Sequence, residues 1–160
     1  MGLFSAAIGL CAEEKTSRWR HELIQHLSAL LTREDDFGLS AERSQVVVRR
    51  DSAFVFIGFD FDEEENGYVV LSAPLVFLSG ENSLPVYRKL LELNDHDLLI
   101  GRLAVAGNLA VLRCSLPIEG LSDETFTSVL TEILAEAEFL DDDLSEEFGL
   151  RRFGSGSTRQ

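Results

Sequence analysis

LPVYRKLLELN (84–94), LLIGRLAVAGNLAVLRCSLP (98–117) and LSDETFTSVLTEILAEAEFL (121–140) follow one another in this chain and read as helix, β-hairpin and helix. In the first segment Pro85 suits a first helical turn, and Leu84, Tyr87, Leu90 and Leu91 recur at helical spacing, so they are expected to face inward. The second segment splits into residues 98–105 and 109–116 about Gly107-Asn108, a tight-turn pair. In the third, Ser122 is a suitable N-cap, and Phe126, Val129, Leu130, Ile133, Leu134 and Ala137 form one apolar stripe. Asp141, Asp142 and Asp143 oppose the dipole at a helix C-terminus, which predicts that this helix ends before them. Nothing in these segments has the residue pattern of an active site.

Upstream, a helix is expected from near Thr16, with Trp19, Leu23, Ile24, Leu27, Leu30 and Leu31 at helical spacing; the alternative is that it extends back through the N-terminal apolar segment. The polar stretch 32–43, which contains Gly38, ends it. Three strands follow at 45–50, 53–61 and 68–78. Asp51-Ser52 makes the first turn, and the acidic run DEEENG (62–67) makes the second. In-order antiparallel pairing is the simplest arrangement. Phe54 and Phe56 share one face of the middle strand, and Val55, Ile57, Phe59 and Phe61 share the other. A strand apolar on both faces needs cover on both sides. Helices can cover one; a second subunit or a bound protein is expected on the other. Pro74 removes a ladder donor and predicts an edge or a bulge. The class is therefore α+β, in the order α-βββ-α-ββ-α, with helices packed on an antiparallel sheet. The organisation is an N-terminal apolar extension (1–15), a single domain (16–148) and a flexible basic tail (149–160) containing RRFGSGSTRQ.

With 160 residues, 45% hydrophobic content and eleven Phe, the chain has material for one substantial core. Its net charge of −14 repels phosphate backbones and argues against direct nucleic-acid binding. The same charge keeps an apolar binding surface in solution and attracts basic partners. Two cysteines, Cys11 and Cys114, make no disulfide framework, and a reducing cytoplasm is the expected location. Cys114, within a strand, reads as a small core residue. The apolar segment 2–12 is too short to span a bilayer and lacks the basic start of a secretory signal. Ala6 stands where a myristoylation signal needs Ser or Thr, and IGLC lacks the small residue that a lipoprotein cleavage box requires before its Cys. No membrane association is expected.

The candidate chemistries fail on spacing. HELIQH (21–26) is one residue too long for a zinc-binding HExxH helix, and five residues turn a helix by about 500°, separating the two histidines. Asp60, Asp62 and Glu64 space like the start of a calcium loop, but Glu65 replaces its Gly and Leu71 its bidentate Glu. Asp95-His96-Asp97 reads as a turn after a helix. A site combining Asp60, His96 and two arginines is the weakest of the functional alternatives. No catalytic, cofactor-binding or metal-binding residue is assigned, and the chain is not expected to be an enzyme. With Gly107-Asn108 as turn residues, Ala106 pairs with Leu109 and Arg102 lies opposite Arg113. Like charges directly opposite are unfavourable, so carboxylates, either of this fold (such as Asp60) or of a partner, are expected to meet them.

LLELN (90–94), IGRL (100–103) leading into a strand, and VLRCSLP (111–117), completed by a helix entered at LSDETF and ending in AEAEF, resemble the YbjN family. They also resemble the class I chaperones of type III secretion, which share this architecture. The resemblance implies a secretion-chaperone-like fold, a homodimer and a non-enzymatic role in holding a partner or client protein. The alternative is an adaptor or regulator of one folded partner. The binding surface is expected to join the outer face of the strands, at Phe54, Phe56 and Val70, with residues of the first helix, together with Arg102 and Arg113.

Overall fold

The computed structural model describes residues 2–4, 9–31, 37–42, 45–80, 83–96, 98 and 100–156. In chain order the elements are α1 (Ala12–Leu31), β1 (Phe37–Glu42), β2 (Gln45–Arg50), β3 (Ala53–Phe61), β4 (Gly67–Phe77), α2 (Ser83–His96), β5 (Arg102–Ala106), β6 (Leu109–Pro117), α3 (Asp123–Phe148) and a short 3₁₀ turn (Phe153–Gly156). The expected order α-βββ-α-ββ-α is present, with β1 as an additional strand where the sequence reads as a loop. The six strands form one antiparallel sheet ordered β1-β2-β3-β4-β6-β5.

Ladder parity divides the sheet into two faces. The inner face carries Val46, Val48, Val55, Ile57, Val69, Leu71, Ala73, Leu103, Leu112 and Cys114, all buried. Burial also raises the pKa of the Cys114 thiol, consistent with a packed, unreactive sulfur. α1 contributes Trp19, Leu23 and Leu27 to this core, and α3 contributes every residue of the stripe expected from its sequence. Leu3 and Phe4 belong to it as well: the Leu3 amide donates to the Leu121 carbonyl at 2.8 Å, and the Phe4 ring meets Phe59 edge-on at 5.5 Å. Residues 5–8 of the apolar extension lie outside the described residues.

α1 begins at Ala12, so the helix does extend back from Thr16 to the end of the apolar segment, with Glu13 and Glu14 in its first turn. Other expectations are corrected. β5 begins at Arg102, not at residue 98. Gly101 has φ +84°, and a Cβ there would sit 3.0 Å from the Arg113 carbonyl oxygen, so the chain bends at that residue. Leu99 lies outside the described residues. α3 runs through the acidic residues to Phe148 and ends at Gly149, which is left-handed (φ 64°). Its terminal carboxylates are answered from other elements. Lys89 of α2 reaches Asp143 at 3.4 Å and Glu147 at 2.9 Å, and Arg152 pairs with Asp142.

α2 is also rotated relative to expectation. Val86, Leu90 and Leu93 are its buried residues, whereas Leu84, Tyr87 and Leu91 are exposed. Pro74 does mark an irregularity: the β4–β6 register shifts between Pro74 and Val76, while β3 pairs with β4 only as far as Ser72. Beyond that point one edge of β4 is open to another segment.

Candidate protein-binding face

The outer face follows from the ladder one row at a time. Val47, Phe56, Ser72, Arg113 and Arg102 lie across five adjacent strands in a single row. Phe54 lies two residues along β3 from Phe56, and Val70 two residues along β4 from Ser72. The five residues expected at the binding surface therefore share one face. Phe54 and Phe56 are half-buried, Val70 is buried between its neighbours, and both arginines are exposed. Among the described residues no α-helix covers this side: α3 packs on the opposite face, against β3, β4 and β6, and α1, expected to join this surface, turns Trp19, Leu23 and Leu27 into the core on that opposite face instead.

Arg102 and Arg113 are directly opposite, as the turn residues require. Asp60 does not answer them. It belongs to a separate row with Tyr68 and Pro117, four residues along β4 from Ser72 or about 13 Å away, and its carboxylate accepts from the Phe61 amide. Arg102 donates to the Gly101 carbonyl at 2.6 Å. Among the described residues no carboxylate forms an ion pair with either arginine, so a cationic corner borders the Phe-rich area.

Residues 149–156 fall in the stretch read as a flexible tail; Leu150 joins the core, and the chain then passes along the edge of β4 so that Phe153 lies against this face. The Phe77 amide donates to the Arg151 carbonyl at 2.8 Å, and Val76 forms a bridge with Arg152, on the length of β4 that β3 leaves unpaired. Phe153 fills an aromatic cleft, edge-on to Phe54 and Phe56, with ring centroids 5.9 Å apart in both cases, and stacked on Phe77 at 6.0 Å. The Arg151 guanidinium lies 4.0 Å from the Phe77 ring centroid. Ser145 of α3 donates to the Leu150 carbonyl at 2.8 Å. Residues 157–160 lie outside the described residues. The signal in the sequence was a lone Phe after two arginines in a Gly/Ser-rich stretch, and composition hid it.

Asp141 and Asp142, on α3, meet the same segment through Arg152. Asp141 is only 4% exposed, and one of its carboxylate oxygens has no hydrogen-bond partner among the described residues. Burial pushes its pKa up to about 6, against the attraction of Arg152 and with the repulsion of Asp142. The Arg152 guanidinium is thus met by an acid of α3 while the ring of the next residue enters the aromatic cleft.

The other expected features are scattered. His21 faces Gln25 on the exposed side of α1, while His26 is partly buried against α3, 3.2 Å from the Thr127 hydroxyl and 3.6 Å from Asp123. Asp62 organises its own turn, accepting from the Glu64 and Asn66 amides and the Asn66 side chain at 2.8–3.0 Å, bonds that hold its pKa below the ordinary value. Its oxygens are thus committed to the turn. Asp97 lies outside the described residues. No group of three or more potential metal ligands occurs among the described residues, and no helix there is long and apolar enough to cross a membrane.

A second apolar area lies on α2. Leu84 is 76% and Leu91 69% exposed, with Tyr87 between them, and Arg88, Glu92 and Asp95 border the shallow depression they line. Val105, on edge strand β5, is another exposed apolar side chain.

A model of the Tir chaperone protein (CesT) family matches residues 22–141, from the middle of α1 to the acidic end of α3. No curated protein matches the chain.

Proposed function

This chain belongs to the Tir chaperone protein (CesT) family, and from that premise we propose that it holds a partner or client protein against the outer face of its sheet, without catalysing a reaction. The family is one of chaperones and not of enzymes, which supports a chaperone-like, protein-binding role. The observation that carries the choice of surface is the outward pair of half-buried Phe54 and Phe56 beside Val70, bordered by Arg102 and Arg113 and, among the described residues, covered by no α-helix. An apolar sheet face with an open backbone edge suits an extended segment of another protein. Membership of the YbjN branch and a cytoplasmic setting belong to the same reading.

The active species is proposed to be a homodimer formed through α2 and not through the outer face of the sheet. Leu84, Tyr87 and Leu91 form an exposed stripe next to Arg88 on one side and Glu92 and Asp95 on the other. Two such helices packed about a twofold axis bring Arg88 of one copy to the acids of the other, a self-complementary arrangement. The outer sheet face of each copy then stays available.

Replacing Phe54 and Phe56 together by Ser, with folding checked by circular dichroism, is expected to lower partner capture by tenfold or more. Retained capture in the double variant would overturn the assignment of this surface. The adaptor reading differs in one measurable respect: a single folded partner would be recovered, and aggregation of unfolded proteins would not be suppressed.

A further inference from the structure

The segment that follows α3 behaves as a ligand of the face just described. Its backbone adds to the edge of β4 that β3 leaves unpaired beyond Ser72. Arg152 is paired with Asp142 beside buried Asp141. Phe153 occupies the space bounded by Phe54, Phe56 and Phe77. Edge pairing, charge and ring packing coincide within three consecutive residues, which is how a sheet captures an extended peptide.

We propose that this cleft is a binding site for an extended partner segment carrying a basic residue followed by an aromatic one, and that residues 151–155 are its built-in occupant, displaced when the partner binds. The proposal rests on the reading of the outer sheet face as partner-binding and adds the class of partner sequence. The α3 acids that meet Arg152 and the net charge of −14 disfavour an acidic segment. The three rings select a planar side chain next to the cation. A tethered occupant lowers apparent affinity in proportion to the time it spends docked, so only a segment that reproduces its contacts displaces it.

Gly154 provides a way to open the site without altering it. A Cβ at that position would stand 2.8 Å from Cε2 of Phe54 and 3.2 Å from the Ser52 carbonyl oxygen. Gly154→Val is therefore expected to lift the segment, since the Ser52 backbone cannot give way, while no atom of Phe56, Phe77, Asp141 or Asp142 is among the nearest the new side chain meets. The probe is a fluorescently labelled peptide of residues 149–156 (GLRRFGSG), titrated into full-length wild type and full-length G154V and followed by anisotropy. G154V is expected to bind it at least tenfold more tightly than wild type, and a peptide with Glu and Ala in place of the Arg-Phe pair is expected to bind neither. F153A, which empties the cleft by another route, should behave like G154V, so a folding defect confined to one variant does not decide the result. Equal affinity for wild type and both variants, or equal binding of the substituted peptide, overturns the proposal. So does self-association of G154V without peptide binding, which would make a second copy the occupant. If the proposal fails in any of these ways while F54S/F56S still abolishes partner capture, the sheet face remains the binding surface and only its sequence preference and built-in occupant are wrong.

Discussion

Asp141 is a buried carboxylate whose folded-state pKa is raised, to about 6 from an ordinary 3.8. Asp142, Arg152 and Ser52 are the groups that act on it, and only Arg152 carries positive charge. Below pH 3.8 Asp141 is neutral whether the chain is folded or not, and it costs nothing. Between pH 3.8 and about 6 the folded state holds its proton more tightly, so its contribution to stability falls as pH rises; above about 6 the full cost is present. D141N is therefore expected to be more stable than wild type at pH 7, by roughly 1–2 kcal/mol, with the gap closing towards pH 4. Urea denaturation of both proteins across this range checks it, and parallel pH profiles would refute it. Exposed Asp62 has a lowered pKa and acts in the opposite direction, but it is present in both proteins and cancels in the comparison.

At the scale of elements, β5 is an edge strand of only five residues, paired with β6 on one side and met on the other by Asn94 of α2. The Asn94 amide nitrogen donates to the Leu103 carbonyl at 3.0 Å, and its oxygen accepts from the Leu103 amide at 2.7 Å, reproducing one rung of a ladder where no further strand exists. N94A would leave both backbone groups half-buried without a partner. A loss of about 1–3 kcal/mol in denaturant stability is expected, with faster amide exchange concentrated in β5. Uniform exchange throughout the sheet would instead indicate that Asn94 acts on the whole fold. α3 shows the same dependence on neighbours. Its acidic C-terminal turns persist because α2 and residue 152 bring cations to them, an arrangement its own residues do not contain.

Across the whole molecule, the two apolar areas separate two proposed roles, self-association at α2 and capture on the outer sheet face. L84E/L91E should convert a dimer to a monomer by sedimentation at micromolar concentration, since two carboxylates would enter an apolar contact. A wild-type monomer would sink the dimer outright. The charge distribution predicts a kinetic signature for capture. With a net charge of −14, salt should slow association with a basic partner more than it speeds dissociation, while apolar contacts hold the complex. If capture survives the Phe54 and Phe56 replacements yet vanishes in moderate salt, electrostatic mimicry replaces hydrophobic capture as the mechanism.

The order of helices and strands, the stripe of α3, the parity of β3 and the Arg102–Arg113 register were legible from residues 16–140, because periodicity and turn chemistry are local properties of a chain. α2 marks where this ends. Val86, Leu90 and Leu93 lie at helical spacing, and so do Leu84, Tyr87 and Leu91; one helix carries two apolar stripes, and local pattern cannot rank them. Packing against the sheet chose the first set and left the second outside. β1, with the sequence FGLSAE, has little strand propensity of its own and is a strand because the edge of β2 pairs with it. Asp141, Asp142 and Asp143 read as a helix stop until Lys89 and Arg152 arrive from distant parts of the chain. Phe153 reads as part of a Gly/Ser-rich tail until three rings from two strands close around it. In each case the deciding partner is remote in sequence, and its contribution exists only once the sheet has brought the two together.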